Sequence, residues 1–313
     1  MPDLLRHVTL RQLQIFLKAA EHLSFARTSE LLGLTQPAVS MQMSQLAETL
    51  GMALFEKRGR QLVLTRAGEM LLPFARRVEQ TLQETSDAFD ALTGLRKGRI
   101  RIALITTTRY FAPKLIAQFR AQHPDIELDI SIANRENVIQ QLERNAIDLA
   151  IMGRPPAHLP VVAQAFAKHP HGVIAPPGHP LAGKRRLAPE RLAAEPFISR
   201  ESGSGTRLAM EFFFTEHGLN PSIIKEIESN ESIKQEVMAG MGLAFISLHT
   251  VSLECRTGDI VLLDVKGLPV VRTWYVVHLA SKLLSPAAKA FTDFMQAQAP
   301  GYMNTLFPGS GKL

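Results

Sequence analysis

The sequence predicts an α/β protein in three parts: an N-terminal winged helix-turn-helix, a long linking helix and a two-lobed α/β region. Three observations predict it. Short amphipathic helices lead to a polar helix and a basic turn before residue 65. A single helical seam then runs to about residue 95, and beyond residue 100 strand and helix patterns alternate in two successive blocks. The boundaries are drawn at 1–65 for the winged unit and 66–95 for the linking helix. Residues 96–165 with 270–300 form the first lobe, 166–269 the second, and 301–313 a tail. A chain of 313 residues exceeds what one core usually organises, which agrees with several domains.

Leu10, Leu13, Phe16, Leu17 and Ala20 recur at helical spacing and predict a first amphipathic helix. Ser24 predicts the N-cap of a second, carrying Phe25, Leu31 and Leu32, and Gly33 ends it. Thr35 caps a third, with Pro37 in its first turn and Val39, Met43 and Leu46 on one side. Its other side, Gln36, Ser40, Met41, Gln42, Ser44 and Gln45, is polar and almost uncharged. Gln and Ser are suited to base edges and phosphates, though the solvated face of an ordinary bundle reads the same way. The next segment favours DNA. Lys57-Arg58-Gly59-Arg60 forms a basic turn between two short strands, placed as a wing that grips backbone phosphates. The candidate DNA-contacting set is Gln36, Pro37, Ser40, Met41 and Gln42 on the helix, with Lys57, Arg58 and Arg60 on the wing.

Thr65 predicts the cap of the linking helix, whose seam is Leu71, Phe74, Val78, Leu82, Thr85, Phe89 and Leu92. Roughly thirty residues at about 1.5 Å each span about 45 Å. Such a helix with one apolar seam calls for a partner. Gly94 to Gly98 reads as a hinge.

In the first block the expected elements are a strand at 100–105, a helix at 111–122, a strand at 126–132, a helix at 136–144 and a strand at 148–152. The second block reads 171–175, 197–198, 207–217, 223–227, 232–239 and 243–247, and the chain closes with a strand at 274–278 and a helix at 286–297. Two such blocks imply two parallel-rich sheets with a crevice between them, and ligands in such folds sit beyond the carboxyl ends of the strands. Those ends carry Thr106, Thr107, Thr108, Asn134, Arg135, Arg154, Arg200, Asn230, Glu231 and His249. Ser204 and Thr206 lie in a Gly-rich loop that opens a helix, a favourable place for an anion. The expected ligand is therefore small and anionic, with carboxylate or phosphate groups, and Arg135, Arg154 and Arg200 are the preferred countercharges.

Composition bounds the function classes. No apolar run approaches a membrane span, no secretory leader is legible, and the single Cys255 leaves no internal disulfide framework, which fits a cytoplasmic protein. The net charge of +6 permits a polyanionic partner without requiring one. An enzyme is disfavoured. Gly203-Ser204-Gly205 lacks the nucleophile-elbow spacing, Gly240-Met241-Gly242 lacks a third glycine, and His169 and His171 read as loop histidines without further metal ligands. No cofactor is expected. The α/β halves alone would also allow a secreted solute-binding protein, against which the winged unit argues.

The run from Leu10-Arg-Gln-Leu13 to Thr65-Arg-Ala-Gly68 resembles the winged helix-turn-helix of LysR-type transcriptional regulators. The landmarks are Phe16, Ala19-Ala20, Ser24-Phe25, Leu34 to Ser40, Leu50-Gly51, Leu54-Phe55 and Leu64-Thr65. Thr28 and Ser29 stand where the family usually has alanines, Ala47 where Glu is common, Lys57 where Arg is common, and Met41 where many members have a base-reading Arg. Over the rest of the chain the likeness is to the CbbR group, regulators of Calvin-cycle carbon-fixation operons. It is carried by Tyr110 to Lys114, Asn145 to Leu149, Met152 to Pro156, Gly203 to Arg207, Ser229 to Glu231, Val237 to Gly242, Ser247 to Thr250 and Arg256 to Gly258. The resemblance implies a periplasmic-binding-protein-like sensor, dimerisation through the linking helix, a homotetramer that bends promoter DNA, contact with RNA polymerase and effectors such as ribulose bisphosphate, phosphoenolpyruvate or NADPH. An aromatic carboxylate or an amino-acid precursor is the alternative effector.

Overall fold

The computed structural model describes residues 7–59, 61–92 and 98–306. It divides into two compact units, one built mainly on 7–92 and the other mainly on 98–306. Arg60 and most of the expected hinge, residues 94–97, lie outside the described residues.

In the first unit, α1 (Leu10–His22) starts at a capping box in which the Thr9 hydroxyl accepts from the Gln12 amide. Helix α2 (Phe25–Leu32) is capped by Ser24 and α3 (Gln36–Leu50) by Thr35, with Pro37 in its first turn. Gly33 supplies the left-handed turn between α2 and α3 at φ 62°. The core gathers Ile15, Phe16, Val39, Met43, Leu46 and Leu54. Two residues of the expected apolar faces stand outside it: Leu10 is 49% and Leu31 46% exposed. The buried stripe of α1 instead runs through Gln12, Ile15, Phe16, Leu17 and Ala19. In α2 the buried positions are Thr28 and Ser29, whose hydroxyls donate to the carbonyls of Ser24 and Ala26 at 2.8 and 2.7 Å. Local satisfaction of both hydroxyls explains how they stand where alanine is usual.

Strands β1 (Phe55–Arg58) and β2 (Gln61–Leu64) pair antiparallel from Phe55↔Leu64 to Arg58↔Gln61. The Phe55 ring fastens this wing, 5.3 Å from Phe25 and 5.6 Å from Phe16. Helix α4 (Arg66–Leu92) follows, with the Thr65 hydroxyl accepting from the Gly68 amide at 3.1 Å. Gly68 is required by space, since a Cβ there would stand 2.2 Å from the Leu54 carbonyl oxygen. Phe74, Val78, Leu82 and Phe89 form an exposed apolar seam along α4.

The second unit begins with β3 (Gly98–Ile105), a 3₁₀ turn (Thr106–Tyr110), α5 (Ala112–Gln122), β4 (Ile126–Ala133), α6 (Arg135–Glu143) and β5 (Leu149–Met152). It continues through β6 (Val161–Ala175), α7 (Glu190–Ala193), β7 (Pro196–Arg200), α8 (Gly205–Glu216), β8 (Ser222–Ile227), α9 (Asn230–Met238) and β9 (Ala244–Ser247). A second 3₁₀ turn (Leu248–Thr250), α10 (Ser252–Thr257), β10 (Val261–Leu262), β11 (Val270–Leu279) and α11 (Pro286–Leu306) complete it. Among these residues no helix is long and apolar enough to cross a membrane.

The expected pair of separate sheets is replaced by one seven-stranded path, β10-β6-β11-β5-β3-β4 with β9 also on β6, and a small parallel β7-β8 pair. The reason is β6 and β11. They pair antiparallel from Val161↔Leu279 to His171↔Val270 and run through both lobes. In the first lobe β3 lies parallel to β4 and β5, around a core with Trp274, Phe111, Phe119 and Phe291. In the second lobe two cores sit around β6, β9 and β10, one centred on Phe197, Phe213 and Phe245, the other on Ile198, Val237 and Ile246.

The sequence reading starts β6 at His171, just after Pro170. The strand begins ten residues earlier, at Val161. Pro170 falls just before β6 gains its second neighbour β9 at His171, where a missing N–H is tolerated as at a sheet edge. The last helix likewise continues past its expected end at residue 297 to Leu306, through Pro300 and into the segment read as a tail. Burial of Ala299 and Met303 in the first-lobe core holds it.

Candidate functional sites

On α3 the burial of Val39, Met43 and Leu46 turns Gln36, Pro37, Met41, Ser44 and Gln45 outward, with Ser40 and Gln42 half-buried at the margin. Met41 is 53% exposed, so this helix offers a thioether among amides and hydroxyls. On the wing Lys57 is exposed, and Arg58 donates to Glu56 on the same strand at 2.9 Å. That pair is solvent-exposed and weak, so a phosphate can displace Glu56.

In the second unit a pocket opens at the ends of β3, β5 and β7. Its wall includes Thr106, Thr107, Arg135, Arg154, Arg200, Ser204 and Thr206 from the predicted set, joined by His169, His171 and Arg272. Ser204 caps α8, its hydroxyl accepting from the Arg207 amide at 3.0 Å, and the first turn of that helix faces the pocket. Arg135, Arg154 and Arg272 converge there. Burial, then repulsion from Arg154, lowers the pKa of both Arg135 and Arg272. Among the described residues no carboxylate is bonded to any of the three, and Nε of Arg135 has no partner. Two half-buried guanidiniums and the exposed Arg154, with no carboxylate partner among the described residues, suit an anion.

Arg200, expected to be a countercharge, is committed elsewhere. It is 3% exposed and donates to both Glu201 oxygens at 2.6 and 2.8 Å, to Asn230 at 2.7 Å and to Thr106 at 3.3 Å. Its bond to Thr106 and that of the Tyr110 hydroxyl to Glu231, at 2.6 Å, tie the lobes together. Lys234 supports this second contact, 2.8 Å from Glu231 and 4.9 Å from the centre of the Tyr110 ring.

Other predicted residues do not face the pocket. The Thr108 hydroxyl is buried and donates to the Ile105 carbonyl at 2.8 Å, closing the 3₁₀ turn. Asn134 accepts from the Asn137 amide at 2.9 Å as the cap of α6. With Asn230 and Glu231 it lines a neighbouring polar depression. His249 is 2% exposed and accepts from Trp274 Nε1 at 3.4 Å, and burial lowers its pKa to about 4.

Sequence reasoning missed Arg272, because it lies inside the expected loop before residue 274 and not at a strand end. It also read His169 and His171 as loop histidines, although the strand was started at His171. Both lie in β6, fully buried and facing the pocket. The His169 ring stacks on Trp274 at 3.8 Å, and its Nε2 lies 3.0 Å from the Ser247 hydroxyl. Alternation from Val173 backwards, had the strand been extended through Pro170, would have put both histidines on one face.

Comparison with known proteins agrees with both halves. Residues 10–69 match the family described as bacterial regulatory helix-turn-helix protein, lysR family, and residues 93–300 match the LysR substrate binding domain. The HTH-type transcriptional regulator CfxR of Cupriavidus necator is 46% identical, covering 99% of this chain and 98% of its own. A RuBisCO operon transcriptional regulator of Allochromatium vinosum is 47% identical over 94% of this chain and 97% of its own. Among solved structures, the CcmR regulatory domain of Synechocystis in complex with 2-PG superposes with a TM-score of 0.62 at 39% identity, over 64% of this chain and 97% of that domain.

Proposed function

The chain belongs to the LysR family of bacterial regulatory helix-turn-helix proteins and is a DNA-binding transcription regulator; from that premise we propose that it controls carbon-fixation operons in response to a small anionic metabolite. End-to-end similarity to CfxR and to a RuBisCO operon regulator supports the target. One observation carries the effector class: Arg135, Arg154 and Arg272 converge on a pocket whose Glu201 is taken by Arg200, and no other carboxylate among the described residues pairs with them. A phosphorylated or carboxylated metabolite meets that demand, as an allosteric effector and not as a cofactor. The protein acts by binding and not by catalysis.

The DNA-contacting residues are those on the outer side of α3 with Lys57, Arg58 and Arg60 of the wing. The exposed seam Phe74, Val78, Leu82 and Phe89 supports a homodimer through α4, which gives two recognition helices related by a two-fold axis. Two dimers assemble as a tetramer on cytoplasmic promoter DNA, and effector binding shifts their placement so that RNA polymerase is engaged. The effector needs only to favour one lobe arrangement over the other. DNase footprinting of the full chain on the promoter of a RuBisCO operon tests this. A protected region that shortens with ribulose bisphosphate is expected; protection indifferent to phosphorylated metabolites refutes the effector class, and absence of protection refutes the target.

A further inference from the structure

Besides the paired Arg200, the pocket holds three arginines and a buried lone pair. Nδ1 of His171 lies 3.1 Å from the carbonyl oxygen of His169. A carbonyl only accepts, so Nδ1 carries the proton, and Nε2 of the neutral ring is an acceptor. The ring is fully buried, and burial together with Arg272 holds its pKa down to about 3. The residue lines the pocket, and its buried Nε2 has no hydrogen-bond partner among the described residues. Behind it His169 repeats the arrangement, with Nε2 on Ser247 and Nδ1 without a partner.

The other charged groups of the pocket leave this acceptor unanswered. Arg135, Arg154 and Arg272 donate, but they call for the anionic end of a ligand. Both oxygens of Glu201 are taken by Arg200. A ligand that brings only anionic oxygens would satisfy the guanidiniums and press lone pairs against His171. The apolar edge of an aromatic acid would seal Nε2 away unpaired, at the cost of a buried unsatisfied acceptor. A hydroxyl adjacent to the anionic group answers both needs, donating to Nε2 while its neighbour meets the arginines.

We propose that His171, backed by His169, is a specificity-determining residue that selects effectors carrying a hydroxyl beside a phosphate or carboxylate. The inference rests on the anionic-effector reading above, and the test separates the two. Calorimetric titration of the full chain uses two probes that differ by one hydroxyl, 3-phosphoglycerate and 3-phosphonooxypropionate. The hydroxylated probe is expected to bind about tenfold tighter or more. His171→Phe is expected to bring the ratio near one while the hydroxyl-free probe still binds. Equal affinities on the unaltered chain, or a ratio unchanged in folded His171→Phe, overturn the assignment and leave the anion site standing. Binding of neither probe overturns the anionic reading and the inference with it. The comparison on the unaltered chain decides even where the variant fails to fold.

Discussion

Arg200 and Arg272 are both arginines at one pocket, yet they do different work. Arg200 is spent on Glu201, Asn230 and Thr106, so Arg200→Ala leaves a partly buried carboxylate without its cation. The expected loss is about 3 kcal/mol of stability, read by urea denaturation. Arg272 has no such partner, and Arg272→Ala should leave stability nearly unchanged while weakening anion binding about tenfold or more. Equal effects of the two changes on both readouts would refute this division. The buried imidazoles make stability depend on pH. His171 is held down to about 3 and His249 to about 4, chiefly by burial, against an ordinary value near 6.5. In the unfolded chain these rings take up protons that the folded chain refuses. The stability is therefore full above roughly pH 6.5 and is lost as pH falls below it, on the order of 2 kcal/mol per ring by about pH 5. A denaturation midpoint that stays flat from about pH 7 to 5 would contradict it.

Among the elements, the wing and α4 are joined where Gly68 passes the Leu54 carbonyl. Gly68→Ala places a methyl against backbone that has nowhere to go, so a loss of about 2 kcal/mol or more is expected in thermal unfolding, with DNA binding weakened alongside. An unchanged transition would show the close approach to be relieved easily. Further along, Val78→Glu puts a charge in the α4 seam, and sedimentation equilibrium should show a shift to smaller species. An unchanged mass would mean that this seam does not hold subunits together. The elements were legible where a local signal sufficed. Ser24, Thr35 and Thr65 mark helix starts that the structure keeps, because a hydroxyl cap acts within three residues. Two elements with an internal proline were cut short. Pro170 lies in β6 and Pro300 in α11, and both are carried by packing across distant sequence that no local pattern records.

In the whole molecule, a helix-turn-helix unit and a LysR substrate binding domain share one chain. The strand ends named Thr106, Arg135 and Arg154 because a parallel β-strand delivers its next residues to the crevice, a rule that sequence carries. Arg272, His169 and His171 come from the antiparallel strands β6 and β11, which the rule does not cover, and they supply a third cation and both imidazoles. The lobe contacts Tyr110–Glu231 and Thr106–Arg200 were equally hidden, since each joins residues far apart in sequence. Any shift between lobe arrangements has to break or remake these two bonds. The most direct measurement is a fluorescence-anisotropy titration of a RuBisCO-operon promoter fragment with the unaltered chain and with Arg272→Ala, each with and without ribulose bisphosphate. Equal affinity of both chains is expected without ligand, and a ligand-dependent change only in the unaltered one. A ligand response that survives Arg272→Ala undiminished, or promoter affinity lost with that substitution, would contradict it.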